Sequence, residues 1–156
     1  MANLKQIEKY LKSKKIPYEV IDLGRDVFTV KGVVETGVSE KEIVKTLVIR
    51  CNGRFVALAI RGKDRVDFKK VRKLFSPSTS LRVNCELAKP EEVLKICEVP
   101  IGAVCPILLN IPVYFDKKVM DLSHVNMGSG DLTRGLEMEL SDLLTAVGDY
   151  RLADLV

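Results

Sequence analysis

Leu4, Ile7 and Leu11 recur at helical spacing behind Asn3 and Gln6, a pair spaced like the reciprocal polar contacts that start a helix. An amphipathic helix is predicted over residues 3–13, and Pro17 stops the pattern. Tyr18 to Asp22 alternates like a short strand. Thr29 to Glu35 reads as a weak helix ending near Gly37, with Gly32 counting against it. Ser39 and Glu42 repeat the capping spacing, so a short helix is expected there, followed by a buried strand opening at Thr46. Asn52-Gly53 stands between Thr46–Cys51 and Arg54–Ile60, both rich in strand formers, and predicts a tight hairpin.

Further along, Asp67 to Phe75 has Phe68, Val71, Leu74 and Phe75 on one helical face and lysines on the other. A strand is expected over Ser80–Asn84. Pro90, with Glu91 and Glu92 beside it, opens a helix through Cys97. Val104–Leu109 and Val113–Phe115 read as strands parted by Asn110-Ile111-Pro112. His124–Met127 and Gly135–Leu140 read as strands around a glycine turn. Ser141 is expected to cap a last helix through Val147, and Tyr150–Leu152 to add a last strand. The order lacks regular β-α-β alternation, which predicts a single α+β domain over residues 1–156 with a mixed, mainly antiparallel sheet.

Composition narrows the class. Of the 156 residues, 47% are hydrophobic and 29% charged, the balance of a globular chain rather than a disordered one. No apolar run approaches the ~18 residues of a membrane helix, and the first residues lack an apolar signal core, so a cytoplasmic protein without membrane contact is expected. The net charge of +4 is unevenly placed. Arg61 to Lys73 holds seven bases against two acids, and Met120 to Val156 holds seven acids against two bases. The basic stretch fits either a solvated helix face or a contact with a polyanion. Cys51, Cys85, Cys97 and Cys105 are scattered singly, so free, mostly buried thiols are expected. The one histidine, His124, belongs to no histidine–carboxylate cluster with zinc-ligand spacing, and a protein-held catalytic metal is not expected.

Three segments are candidates for chemistry. Lys45 lies where the Ser39 helix hands over to a core strand, between apolar Val44 and Leu47. An ammonium there either snorkels outward or has work to do, because lysine is costly to desolvate. Val99-Pro100-Ile101-Gly102-Ala103-Val104-Cys105-Pro106 places a glycine turn directly before an apolar run. Such a turn is either a tight connection or a place where backbone N–H groups reach a carbonyl oxygen. Asn126-Met127-Gly128-Ser129-Gly130 lacks P-loop or dinucleotide spacing, and is either a hairpin turn or a second backbone wall of a pocket.

Lys45-Thr46-Leu47 after a short helix, Gly102-x-Val104-x-Pro106, and a glycine turn followed by Asp142-Leu143 resemble the YbaK/prolyl-tRNA synthetase-associated domain family. The resemblance spans the whole chain in element order, with the Gly128-Ser129-Gly130 turn the loosest match. It implies a barrel-like sheet with surrounding helices. It also implies a trans-editing deacylase that hydrolyses the ester of mischarged tRNA, such as alanyl- or cysteinyl-tRNA of the proline system or another small amino acid. The family's essential lysine falls on Lys45 and its glycine loop on Gly102, closed by Pro106. Thr46, Ala103, Val104, Cys105, Gly128, Ser129 and Gly130 are then expected around the substrate. Arg61, Lys63, Arg65, Lys69, Lys70 and Lys73 are expected to meet the tRNA acceptor stem. Implied partners are tRNA and an aminoacyl-tRNA synthetase, and no metal or organic cofactor is implied. A non-catalytic tRNA-binding or regulatory module of the same fold is the competing reading.

Overall fold

Asn3 accepts the N–H of Gln6 while the Gln6 side chain accepts that of Asn3, so helix α1 (Leu4–Ser13) starts where the sequence places it. The computed structural model describes residues 3–76 and 83–156. After α1 come strand β1 (Glu19–Asp22), helix α2 (Val30–Glu35) capped by the Thr29 hydroxyl, and a 3-10 turn over Glu40–Glu42. Strands β2 (Val44–Cys51) and β3 (Arg54–Arg61) form the expected hairpin. Asn52 and Gly53 both take positive φ, 48° and 78°, the backbone that a two-residue turn between twisted strands requires. Helix α3 (Phe68–Phe75) follows, then β4 (Cys85–Leu87), α4 (Pro90–Cys97) and β5 (Val113–Asp116). A 3-10 turn over Lys117–Asp121, β6 (His124–Gly128), β7 (Arg134–Glu139), α5 (Leu140–Val147) and β8 (Arg151–Ala153) complete the order.

The strands form two sheets, one ordered β1-β7-β6 and the other β4-β2-β3-β5-β8. The first is antiparallel; in the second, β5 and β8 join in parallel. The α+β class therefore holds, but the sheet does not close into a barrel. Among the described residues one β-bridge, Ile43 to Asn126, links the two sheets, which also share a hydrophobic core. β3 is apolar on both faces because both are covered. Ala57 and Ala59 face a core built with Ile7, Leu11, Phe115 and Leu136, while Leu58 and Ile60 face a second core with Val71 and Leu155.

Several local expectations fail for physical reasons. Ser39 makes no capping hydrogen bond, and only a 3-10 turn forms before β2. Val104–Leu109 is a buried irregular segment rather than a strand. Pro106 within it has no N–H to donate, and Leu108 takes a positive φ of 62°. Glu139, not Ser141, precedes the last helix. Of the face proposed for α3, only Val71 is buried, and Leu74 is exposed. Of the strand expected over Ser80–Asn84, residues 80–82 lie outside the described residues, and pairing begins at Cys85. Cys51 and Cys85 are not free thiols. They face each other across β2 and β4 with Cα atoms 4.1 Å apart and are joined by a disulfide. That register brings together residues 34 apart, which sequence spacing does not reveal. Cys97 and Cys105 are free and buried. Among the described residues no helix is long and apolar enough to cross a membrane.

Candidate functional site

β4 covers β2 only over Ile49–Cys51, so among the described residues the edge of β2 from Val44 to Leu47 has no strand along it. That edge forms one wall of a cavity of about 470 Å³. The segment leading into α2, the turn around Gly102, and the facing ends of β6 and β7 supply the other walls. Most of the surface is apolar, with Val44, Val48, Val93 and Val104 among the lining side chains. Phe28 and Ile101, 56% and 41% exposed, stand where the cavity meets solvent.

Lys45 is the second residue of β2, not the end of a helix, and it lines this cavity. Partial burial lowers its pKa; nearby Asp64 opposes that shift and Arg65 adds to it. Asp64 is itself held by Arg61, at 2.7 Å and 3.2 Å, and its pKa is lowered mainly by that contact. Among the described residues the Lys45 ammonium forms no ion pair. A half-buried cation without a partner is unfavourable for the fold, which favours an anionic or strongly polar ligand beside it. Thr46 lines the cavity too, and its hydroxyl oxygen is buried without a hydrogen-bond partner. Such an orphan costs about 1–3 kcal/mol unless something else supplies the bond.

The glycines have a tighter function than the sequence indicates. Gly102 has φ of 90°, and a Cβ there would lie 2.6 Å from the backbone oxygen of Phe28. At Gly128 a Cβ would lie 2.5 Å from the backbone oxygen of Val104. Gly130 donates its N–H to the Ala103 carbonyl at 2.7 Å. Three backbone segments are thus stacked directly on one another, and the absent side chains make room for protein backbone. The N–H groups of Gly102 and Val104 donate to no acceptor among the described residues, so this stack leaves two donors beside the cavity. Ser129 is fully buried; its hydroxyl donates to the Arg134 carbonyl at 2.7 Å and accepts the Asp131 N–H at 3.2 Å. It staples the turn. Ala103, Cys105 and Pro106 sit buried behind the Gly102 wall, and burial pushes the Cys105 thiol up to about 12, far from a thiolate.

The basic stretch divides in two. Arg61 is committed to Asp64, and Lys70 to Asp154 at 3.0 Å and to the Val156 carbonyl at 2.6 Å. Lys63, Arg65, Lys69 and Lys73 are exposed, and Arg65 is close enough to influence Lys45. Sequence reasoning missed Phe28 and Asp131, which line the cavity together with Asn126 of the glycine segment offered as a pocket wall. Asp131 accepts the N–H and hydroxyl of Thr133 at 2.8 and 2.7 Å, and these bonds lower its pKa. The Asp131-x-Thr133 spacing after Gly130 was the available signal, since aspartate commonly caps such turns.

The sequence matches, over residues 26–146, the family described as an aminoacyl-tRNA editing domain. It is 30% identical over 133 residues to the proline–tRNA ligase of Caldicellulosiruptor bescii, covering 82% of this chain and 22% of that protein. Against the proline–tRNA ligase of Persephonella marina it is 38% identical over 95 residues, 60% of this chain and 16% of that protein. The chain thus spans about a fifth of the length of the curated relatives it matches. Among solved structures, hypothetical protein APE2540 superposes with a TM-score of 0.82 at 28% identity, covering 96% of this chain and 98% of that one. A structure described as a candidate trans-editing enzyme for prolyl tRNA synthetase shares the fold with a TM-score of 0.81 at 24% identity, covering 97% and 95%.

Proposed function

The chain belongs to the aminoacyl-tRNA editing domain family, and from that membership and the cavity we propose that it hydrolyses the ester linking a wrong amino acid to tRNA. The observation that carries this reading is Lys45, a half-buried ammonium without an ion pair, in the same cavity as the undonated N–H groups of Gly102 and Val104. Lys45 anchors the polyanionic 3′ end of the tRNA. The two N–H groups hold the ester carbonyl oxygen and the negative charge that develops there when water attacks the carbonyl carbon and the ribose oxygen leaves. The ester is already activated, so positioning and oxyanion stabilisation suffice without a metal, a thiolate or a histidine base. In this role Lys45 is an electrostatic anchor rather than a nucleophile.

The dimensions and chemistry of the cavity support a small amino acid. A volume of about 470 Å³ is in the range that encloses a small ligand. Its valine-rich wall suits an apolar side chain such as that of alanine, and the orphan Thr46 hydroxyl offers one polar contact. Asp131 offers a carboxylate to the α-ammonium. Alanyl- or cysteinyl-tRNA of the proline system are the substrates we propose, with the exposed Lys63, Arg65, Lys69 and Lys73 meeting the acceptor-stem phosphates. This function places the protein in the cytoplasm, acting on tRNA released by, or still near, a synthetase. The test is direct: purified protein is incubated with a panel of mischarged tRNAs, and loss of labelled amino acid is followed. Release of one small amino acid supports the proposal. Binding without ester loss across the panel leaves a tRNA-binding module, and neither binding nor release refutes both.

A further inference from the structure

Glu42, His124 and Glu137 are far apart in sequence, but the fold brings them together where the start of β2 meets the β6–β7 sheet. One ligand-capable atom of each lies within 4.8 Å of the other two. His124 Nε2 is 3.2 Å from a Glu137 oxygen. A tetrahedral ion with bonds of about 2.0–2.2 Å separates its ligand atoms by roughly 3.3–3.6 Å, so only a slight rearrangement would seat one. None of the three side chains lines the cavity.

The surroundings of these groups orient them as metal ligands are oriented. The other ring nitrogen of His124, Nδ1, lies 3.1 Å from a Glu139 oxygen. A carboxylate there accepts the Nδ1–H hydrogen bond, leaves the Nε2 lone pair directed at the cluster, and raises the basicity of the ring. The second Glu137 oxygen accepts the Asn126 side-chain N–H at 2.8 Å, and Asn126 is only 2% exposed. The Glu42 carboxylate makes no hydrogen bond or ion pair among the described residues, so it is available. One imidazole with two carboxylates, lacking thiolate, suits a first-row divalent cation such as Zn²⁺ better than an all-oxygen Ca²⁺ or Mg²⁺ site.

We propose that Glu42, His124 and Glu137 bind a divalent transition-metal cation, with Zn²⁺ the best fit, that fastens the 3-10 turn before β2 to the β6–β7 sheet. The seam it would clamp is the Ile43–Asn126 bridge, the one bridge joining the two sheets among the described residues. Ile43 and Asn126 both line the cavity, and Lys45 follows Glu42 by three positions. The ion therefore steadies the site from behind and takes no part in the chemistry.

The test uses the full chain. Isothermal titration with ZnCl2 is expected to give one site, and the melting temperature is expected to rise by about 3–6 °C for each tenfold increase in free Zn²⁺ above Kd. Co²⁺ is expected to give visible d–d absorption without a thiolate charge-transfer band. His124→Ala and Glu42→Gln are each expected to weaken binding at least tenfold. Glu139→Gln, which leaves all three ligands in place, is expected to weaken it by about 10- to 100-fold through the ring orientation. Glu42→Gln breaks no side-chain hydrogen bond among the described residues, so it remains informative if His124→Ala folds poorly. Absence of a stoichiometric site, a thiolate band with Co²⁺, or unchanged Zn²⁺ binding in both ligand variants overturns the proposal. In that event the cluster is an ion pair in which His124, its pKa raised by Glu137 and Glu139, simply holds a proton.

Discussion

Replacing Gly102 with alanine puts two separable penalties on one residue. The backbone is held at φ of 90°, a region that costs an L-residue about 1–2 kcal/mol. The new Cβ would also stand 2.6 Å from the Phe28 carbonyl oxygen and 3.0 Å from two further Phe28 backbone atoms. Backbone cannot swing aside like a side-chain tip, and overpacking of this kind costs about 1–3 kcal/mol. The expected total is roughly 2–5 kcal/mol, which for a chain of this size lowers the melting temperature by about 4–20 °C. Two controls isolate the parts. Gly53→Ala meets the same backbone requirement, φ of 78°, with nothing within 4 Å, and should cost about 1–2 kcal/mol. Gly128→Ala has no positive φ but a contact of 2.5 Å to the Val104 oxygen, and should show the packing cost alone. Urea denaturation of the three variants reads these energies, and deacylation reads the site. Gly102→Ala and Gly128→Ala should both slow ester hydrolysis, because each shifts the segment carrying the Gly102 and Val104 N–H groups, whereas Gly53→Ala should not. If Gly102→Ala is no more destabilising than Gly53→Ala, the close backbone approach is not what requires glycine there.

Lys45→Met removes a half-buried charge without a salt-bridge partner, so stability should change by no more than about 1 kcal/mol in denaturation while deacylation falls at least about 100-fold. Because burial lowers the Lys45 pKa below 10.5, the fold disfavours the ammonium. The penalty is fully present below the folded pKa and vanishes as pH rises through it to the unfolded value. Binding that depends on this charge should therefore weaken, in a pH titration of tRNA affinity, earlier than an ordinary lysine would dictate. Changing Lys63, Lys69 and Lys73 together to glutamine should reduce the slope of log affinity against log salt by about two to three, and Lys70→Gln, already committed to Asp154, should leave it unchanged. Reducing the Cys51–Cys85 disulfide opens a loop spanning 34 residues and should lower stability by up to about 4 kcal/mol, read as the shift in the urea midpoint with and without reductant.

Local signals carried most of the element order. Asn3 with Gln6, Asn52-Gly53 and Pro90 each act within a few residues, and each produced the predicted start or turn. The failures that bear on the site involve partners remote in sequence. Val104–Leu109 is apolar enough for a strand, but it is buried by packing under Gly128 and never pairs. Cys51 meets Cys85 only through the β2–β4 register within one sheet, and Glu42 meets His124 and Glu137 only where the two sheets come together. Lys45 and Gly102 were legible as candidates through the family pattern, and both line the cavity. The roles of the glycines were not, because close backbone approach to Phe28 and Val104 is a tertiary fact. Phe28 and Asp131 were missed since each looks ordinary in its own segment and matters only as part of the cavity wall.

The central claim is that Lys45 and the Gly102 turn act together on an aminoacyl ester. Its most direct measurement is single-turnover deacylation of alanyl- and cysteinyl-tRNA of the proline system by the wild-type chain and by Lys45→Met, each confirmed as folded. Rapid release of at least one of the two amino acids is expected from the wild type, with a loss of about 100-fold or more in the variant. Equal rates for the two proteins, or no release above the uncatalysed rate by the wild type, would contradict it.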